Sequence, residues 1–371
     1  MNEEESTWWL LGLPIDCVTM EQAKGRILEA ARTRTPLVFA TPNVNFLALA
    51  RRKLEFREAI LRTNLSLVDG MPLVWLARML GIPVPERVAG SNLIESLLDD
   101  DRRPPLKVFF FGGAPGIAET ACWRVNEAQR GLKAVGWHDP GFVALEKMSD
   151  DETIEKINSS DADMLILALG AEKGHLWIER NRNRLTVPVI SHLGAVVNFL
   201  AGSVKRAPKI LQRVGLEWAW RIREEPSLAS RYGRDFLFLV KEFSTAVVPL
   251  MFLRSRSKLE EEAMEVDIEH LASGCSVLKL SGSLDGSTVP RLEEAIASAS
   301  TREAGLTIDL ARLRSIDSRA AGFLYGLVFR HPRSVRITGA DPNSLLKHHL
   351  RLHRAEWLEA SSAKHPQALV T

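Results

Sequence analysis

LKVFFFGGAPGIAET, residues 106–120, sets the frame for the rest of the chain. A nearly unbroken apolar segment runs into glycines and then into a helix-forming pattern, as when a strand buried on both faces feeds a crossover helix. Four other runs repeat the design: LVFATPN (37–43), LSLVDG (65–70), DMLILALG (163–170) and VPVISHLG (187–194), each followed by an amphipathic stretch of helical length. This alternation predicts an α/β domain with a Rossmann-like, mostly parallel sheet and helices on both faces. Ligands of such sheets sit beyond the carboxyl ends of the strands. Thr41, Asn43, Asp69, Gly112, Gly113 and Gly170 are therefore the first candidates for a site.

Asp69 ends an apolar run and precedes Gly70, a placement that presents a carboxylate at the sheet rim. Two readings balance there: a general base, or a cap on the helix starting near Met71 and Pro72. Thr41, Asn43 and Asn45 of TPNVN offer hydroxyl and amide groups fit for sugar hydroxyls, and turn or cap chemistry is their alternative. Gly112, Gly113 and Gly116 lie between a buried strand and a helix, where backbone N–H groups can face a phosphate or a uracil ring. The spacing is not GxGxxG with a ribose-binding acid, so a dehydrogenase is disfavoured, and GxxxxGK[ST] is absent, which removes the P-loop class. No DxD motif stands at a strand end, so a metal-dependent nucleotide-sugar site is not signalled. His349 and His353 are a helical turn apart, but without a carboxylate or cysteine partner they read as part of a solvated basic helix.

The 371 residues carry a formal charge of +2, with 46% hydrophobic and 25% charged residues, which fits two or three globular domains and excludes a largely disordered or fibrous chain. Cys17, Cys122 and Cys275 are too scattered for a CxxC site or a disulfide framework, and the start MNEEESTWWL is acidic where an export signal is basic. A cytoplasmic setting is expected. Charge concentrates locally: residues 203–256 hold 11 Lys or Arg against 5 Asp or Glu. Within them, RVGLEWAWRIREEP reads as a helix, and an apolar run over 236–253 is interrupted by Lys241, Glu242 and Pro249. Those 18 residues span only about 27 Å if helical, so the expectation is a helix lying on a membrane surface, ahead of core packing or a spanning segment. The interleaved apolar runs favour lipid over nucleic acid. The organisation read from sequence is a core over 1–202, a basic appendage over 203–253, a linker over 254–267 and a small α/β domain over 268–371.

TPNVN, LVDGMPLVW, ERVAGSNL, FFFGGAPG, LILALG, WIERN, FLAGSVKRAP and GLEWAWRIREEP follow one another over roughly residues 10–235, and this order resembles the WecG/TagA/CpsF glycosyltransferase family. The resemblance implies an inverting, metal-independent transfer, with no cofactor, of an N-acetylmannosamine-type sugar. The donor would be a UDP-sugar, the acceptor a polyprenyl-diphosphate-linked sugar, and the setting the inner membrane face. It implies Asp69 as base, with Thr41 and Asn43 beside it, and Arg87 on the donor diphosphate. Asn45, Gly112, Gly113, Gly116 and Gly170 complete the expected donor set, and Arg206, Arg221 and Arg231 the acceptor-diphosphate set. The chain departs from the family pattern after LILALG, where Glu172, Gly174 and His175 replace a proline and a Gln-Glu pair, and at Leu228, where a basic residue is common.

VLKLSGSLD and LTIDLARLRSIDSRAAGFL resemble the STAS, or anti-sigma-factor-antagonist, family over about 270–360. In that family the serine of the DS pair starts a helix and is a phosphorylation site, which selects Ser318. Here Asp317 and Ser318 read as a helix cap ahead of a phosphoswitch. Two whole-protein readings follow: an enzyme with a regulatory or docking STAS module, or a scaffold that binds nucleotide-sugar without turnover. A protein partner for the STAS module and a homo-oligomer are left open.

Overall fold

The computed structural model describes residues 7–101, 104–208, 210–211, 215–257, 263–271, 275–299, 305–330, 335–339, 345–355 and 358. They form two compact units, one of Val18–Trp75 and Val84–Leu239, the other of Met1–Cys17, Leu76–Pro83 and Val240–Thr371. The chain starts with an antiparallel hairpin, β1 (Thr7–Leu10) and β2 (Leu13–Asp16). Its two-residue turn places Leu11 and Gly12 at positive φ, as a right-twisted hairpin demands.

α1 (Met20–Thr33) opens on a capping box: Thr19 accepts the Gln22 N–H, and Gln22 accepts the Thr19 N–H. There follow β3 (Leu37–Ala40), α2 (Val44–Arg52), α3 (Leu54–Leu61), β4 (Leu65–Ser66), α4 (Met71–Met79) and α5 (Gly90–Leu98). Next come β5 (Leu106–Gly112), α6 (Ile117–Ala128), β6 (Leu132–His138), α7 (Asp151–Asn158) and β7 (Met164–Ala168). α8 (Ala171–Asn181), β8 (Val189–His192), α9 (Gly194–Ala201) and α10 (Glu217–Glu224) complete the first unit's named elements. Its sheet has the order β4-β3-β8-β7-β5-β6, with every neighbouring pair parallel. All five strands read from the sequence are present. The edge strand β6 is an addition, because LKAVGWH lacks the apolar density of a strand covered on both faces.

Alternate residues of the central strands enter different cores. Val108, Phe110, Met164 and Ile166 belong to one, and Phe109, Phe111, Leu165 and Leu167 to the other. The FFF run is thus a strand buried from both sides, each phenylalanine contributing about 1.5–3 kcal/mol of burial.

α11 (Ala229–Glu242), a π-helical turn at Phe243–Val247 and α12 (Val248–Ser257) make one helical run. Pro249 interrupts the apolar run without breaking the helix. Proline cannot donate to the carbonyl a turn earlier, and the π turn just before it takes up the mismatch. Ser244 and Thr245 hydroxyls both bond the Lys241 carbonyl, which further loosens the ladder there. By length and composition alone, the stretch Pro226–Leu253 is long and apolar enough to cross a membrane.

The second unit continues with β9 (Glu265–His270), β10 (Ser276–Leu284), α13 (Val289–Ala299), β11 (Leu306–Ile316), α14 (Ser318–Tyr325), β12 (Val335–Thr338) and α15 (Leu345–His353). Its sheet order is β12-β11-β10-β9, with only β9 antiparallel. β9 starts at Glu265, inside the stretch read as linker. The N-terminal hairpin packs on α14 within this unit. A Cβ on Gly322 would lie 2.3 Å from the Thr7 carbonyl oxygen. Arg330 forks onto buried Asp16 at 2.8 and 3.0 Å, and the Trp9 indole donates to the His353 carbonyl at 2.9 Å.

This packing corrects one expectation and accords with another. α15 is not a solvated basic helix: Leu346, Leu350 and His353 are buried along one face, and burial pushes His353 down to about 3. The reading of Asp317 and Ser318 as a helix cap fits: Asp317 accepts the Ala320 N–H, and Ser318 is 5% exposed with its hydroxyl 3.5 Å from His353 Nδ1.

Candidate active site

A cavity of about 1140 Å³ opens at the carboxyl ends of the first unit's strands. It exceeds the usual range for small-ligand pockets, leaving room for a nucleotide-sugar with an acceptor group beside it. Thr41, Asn43, Asn45, Asp69 and Arg87 all line it. β4 is short as a strand, but its ladder continues: Leu67 N–H bonds the Ala40 carbonyl at 2.9 Å and Asp69 N–H the Pro42 carbonyl at 2.8 Å. This register carries Asp69 alongside TPN.

Asp69 does not act as a simple cap on the helix it precedes. A backbone bond to its carboxylate comes from Gly90, the first residue of α5. Packing around Gly90 is close, since a Cβ there would meet Leu193 at 2.6 Å and Thr41 at 3.4 Å. Burial pushes Asp69 up to about 6, against the pull of Arg87, Arg221 and the Gly90 N–H; Glu217 adds to the rise. A carboxyl group so placed is a proton acceptor poised near neutrality.

Asn43 has both of the predicted functions open to it. It caps α2, accepting the Phe46 N–H at 3.3 Å, and it also borders the cavity. Thr41 is buried, 7% exposed. Gly113 and Gly170 reach the cavity, whereas Gly112 and Gly116 are not among its lining residues. Gly170 starts α8 at φ 81°, ψ 150°, a conformation only glycine holds cheaply, and this turns the chain at the end of β7.

The basic residues separate into two groups. Arg221 and Arg231 line the cavity, and the Nε of each is buried without a hydrogen-bond partner. Arg221 also stacks over Phe199 at 5.6 Å and pairs with Glu225 at 3.7 Å. Arg206 lies outside the lining, its guanidinium bonded to Glu95, Ser91 and Asn92 on α5. Arg87 meets Glu217 at 3.0 Å, both largely buried.

Three cavity residues escaped the sequence reading: Glu217, Asp235 and His192. Glu217 pairs across 130 residues of chain, which no local pattern encodes. Asp235, 8% exposed and raised by burial, follows Arg231 by one helical turn, a spacing that could have flagged it. His192 ends β8, inside the run VPVISHLG, whose end supplies no candidate in the sequence reading.

Residues 8–249 match the glycosyl transferase WecG/TagA/CpsF family. The chain belongs to this family. Its glycosyltransferase region is 30% identical over 213 residues to an N-acetylglucosaminyldiphosphoundecaprenol N-acetyl-beta-D-mannosaminyltransferase of Bacillus spizizenii, covering 57% of this chain and 78% of that protein. Staphylococcus aureus proteins of the same name are 25% identical over 214 residues, covering 57% of this chain and 82% of theirs. Residues 269–356 match a STAS domain. An uncharacterised Shewanella loihica protein with a SpoIIAA-like fold is 23% identical, covering 26% of this chain and 80% of its own, with a TM-score of 0.18. The WecG/TagA/CpsF region thus contains the whole cavity, and the chain is a glycosyltransferase carrying a C-terminal STAS domain.

Proposed function

We propose that this glycosyltransferase moves an N-acetylmannosamine-type sugar from UDP to a hydroxyl of a polyprenyl-diphosphate-linked sugar, in the assembly of a surface polysaccharide. The carrying observation is Asp69: a desolvated carboxylate at the cavity wall, raised to about 6. Its carboxylate takes the proton of the acceptor hydroxyl as that oxygen bonds to the anomeric carbon. The bond from that carbon to the diphosphate oxygen breaks on the opposite face, so the anomeric centre inverts and UDP leaves. General-base help supplies about 10²–10⁴-fold, and positioning with charge stabilisation supplies the rest. Arg87, Arg221 and Arg231 are the guanidinium groups at the cavity that suit diphosphate oxygens.

The acceptor's lipid fits a peripheral site on the inner membrane face. Phe236, Leu237, Val240, Phe243, Met251 and Phe252 are exposed on the helical run, an apolar surface that a lipid interface would cover.

The test is UDP release from UDP-N-acetylmannosamine with a polyprenyl-diphosphate-N-acetylglucosamine acceptor. Acceptor-dependent release that is lost in Asp69→Asn supports the reading. Donor binding with no release under any acceptor supports the scaffold instead. Flotation with liposomes of graded anionic-lipid content tests the membrane setting, and failure of the full chain to float at any composition overturns it.

A further inference from the structure

Strand order orders the chemistry at the cavity. Across the sheet from Asp69 the strand ends run β4 (Asp69), β3 (Thr41), β8 (His192), β7 (Gly170) and β5 (Gly113). In a displacement the reacting carbon lies between the base and the departing phosphate. With the base beyond β4, a sugar held against it extends across the ends of β3 and β8. Adjacent strands are about 4.8 Å apart, so β8 stands about 10 Å from β4, within the reach of one hexose and its substituents.

His192 occupies that position in an unusual seat. Its ring lies in a slot between two glycines. A Cβ on Gly174 would come within 2.3 Å of its Cδ2, and one on Gly194 within 3.2 Å of its Nε2. The ring therefore takes the room that a side chain at 174 would need. The residue is 8% exposed and lines the cavity, yet Nε2 has no hydrogen-bond partner. A buried polar atom left unpaired is costly, and turning the ring so that a nitrogen meets a ligand group in the cavity relieves that cost. The other side of the ring meets His175, 5.6 Å between centroids, which is itself packed against Phe46 and Phe56. Among the groups facing it, burial pushes His192 down to about 4, and His175 lies well below its usual range. Both rings are neutral at working pH, so His192 offers a hydrogen bond without a charge.

We propose that His192 is the specificity-determining residue for the hexosyl group of the donor, its imidazole reaching a sugar substituent from the slot that Gly174 and Gly194 leave open. This rests on the UDP-sugar reading above. It makes the Gly174 and His175 departure from the family pattern part of one rearranged wall, since a side chain at 174 and a histidine at 192 exclude each other.

The test compares binding of UDP with that of UDP-N-acetylmannosamine, UDP-N-acetylglucosamine and UDP-glucose by calorimetry, in the parent, His192→Ala and Gly174→Ala. His192→Ala is expected to leave UDP affinity within twofold while weakening the preferred UDP-sugar at least tenfold. Gly174→Ala keeps the imidazole but displaces the ring, so the same selective loss is expected, with UDP affinity within twofold of the parent showing that the variant is folded. Parallel losses for UDP and UDP-sugars, or no loss in either variant, overturn the assignment while leaving the donor reading intact. A parent chain that binds neither UDP nor any UDP-sugar overturns that reading and this assignment together.

Discussion

Asp69 and Asp317 hold equivalent places in two sheets, each following a parallel strand and preceding a helix, and burial raises both. Their surroundings differ. Asp317 is consumed by backbone: it accepts the Ala320 N–H at 2.8 Å as the cap of α14 and the Gly286 N–H at 3.1 Å. Asp69 borders a large cavity with Arg87 and Arg221 nearby, and its bond comes from a helix brought in by tertiary packing. A strand-end aspartate is thus a cap or a base according to what the fold puts opposite it.

The sharpest way to break the comparison is to neutralise each carboxylate in turn. Asp69→Asn is expected to lower kcat by about 10²–10⁴-fold in the UDP-release assay, and Asp317→Asn to leave it within twofold. Equal losses in both would remove the distinction. Asp16, buried under Arg330, supplies a third carboxylate whose task is purely structural. Asp16→Asn strands the guanidinium, and a loss of about 3–5 kcal/mol in the second unit's unfolding by denaturant is expected.

Proton linkage gives the next effect. A carboxyl group raised in the folded state binds its proton more tightly folded than unfolded, so stability declines as pH rises from near 4 through about 6. At pH 7.5 that penalty is on the order of 2–3 kcal/mol, and Asp69→Asn removes it. The variant is expected to melt higher than the parent at pH 7.5, with the gap closing by pH 4. Over the same interval the parent's kcat/KM should climb about tenfold per pH unit below about 6 and then level off. A flat profile between pH 5 and 7 would take the base assignment from Asp69. The smallest effect belongs to the cap: Asp317→Ala is expected to cost about 0.5–2 kcal/mol in chemical denaturation, without changing the pH profile.

Much of this was legible in sequence. The four central strands and the short edge strand β4 announced themselves in apolar runs, which burial on both faces demands, and both families showed in motifs whose order survives distant relationship. The other edge strand, β6, did not, since LKAVGWH is only partly buried and carries Lys133, Gly136 and His138 within it. Asp69, Thr41 and Asn43 could be nominated from strand ends, but the choice between base and cap could not be made there. Arg206, placed with Arg221 and Arg231 by the resemblance, differs from them in the fold, where its guanidinium bonds Glu95, Ser91 and Asn92 of α5.

Sequence alone settled the strands, the family motifs and the candidate carboxylate, because each is written in the spacing of near neighbours. Only the tertiary structure decided that Arg87 meets Glu217, that His192 sits where a side chain at 174 would be, and that the first hairpin packs on α14 at Gly322 while His353 meets Ser318. These contacts join residues tens to hundreds of positions apart. Their energies depend on shape, burial and dielectric at the point of meeting, which local periodicity does not carry.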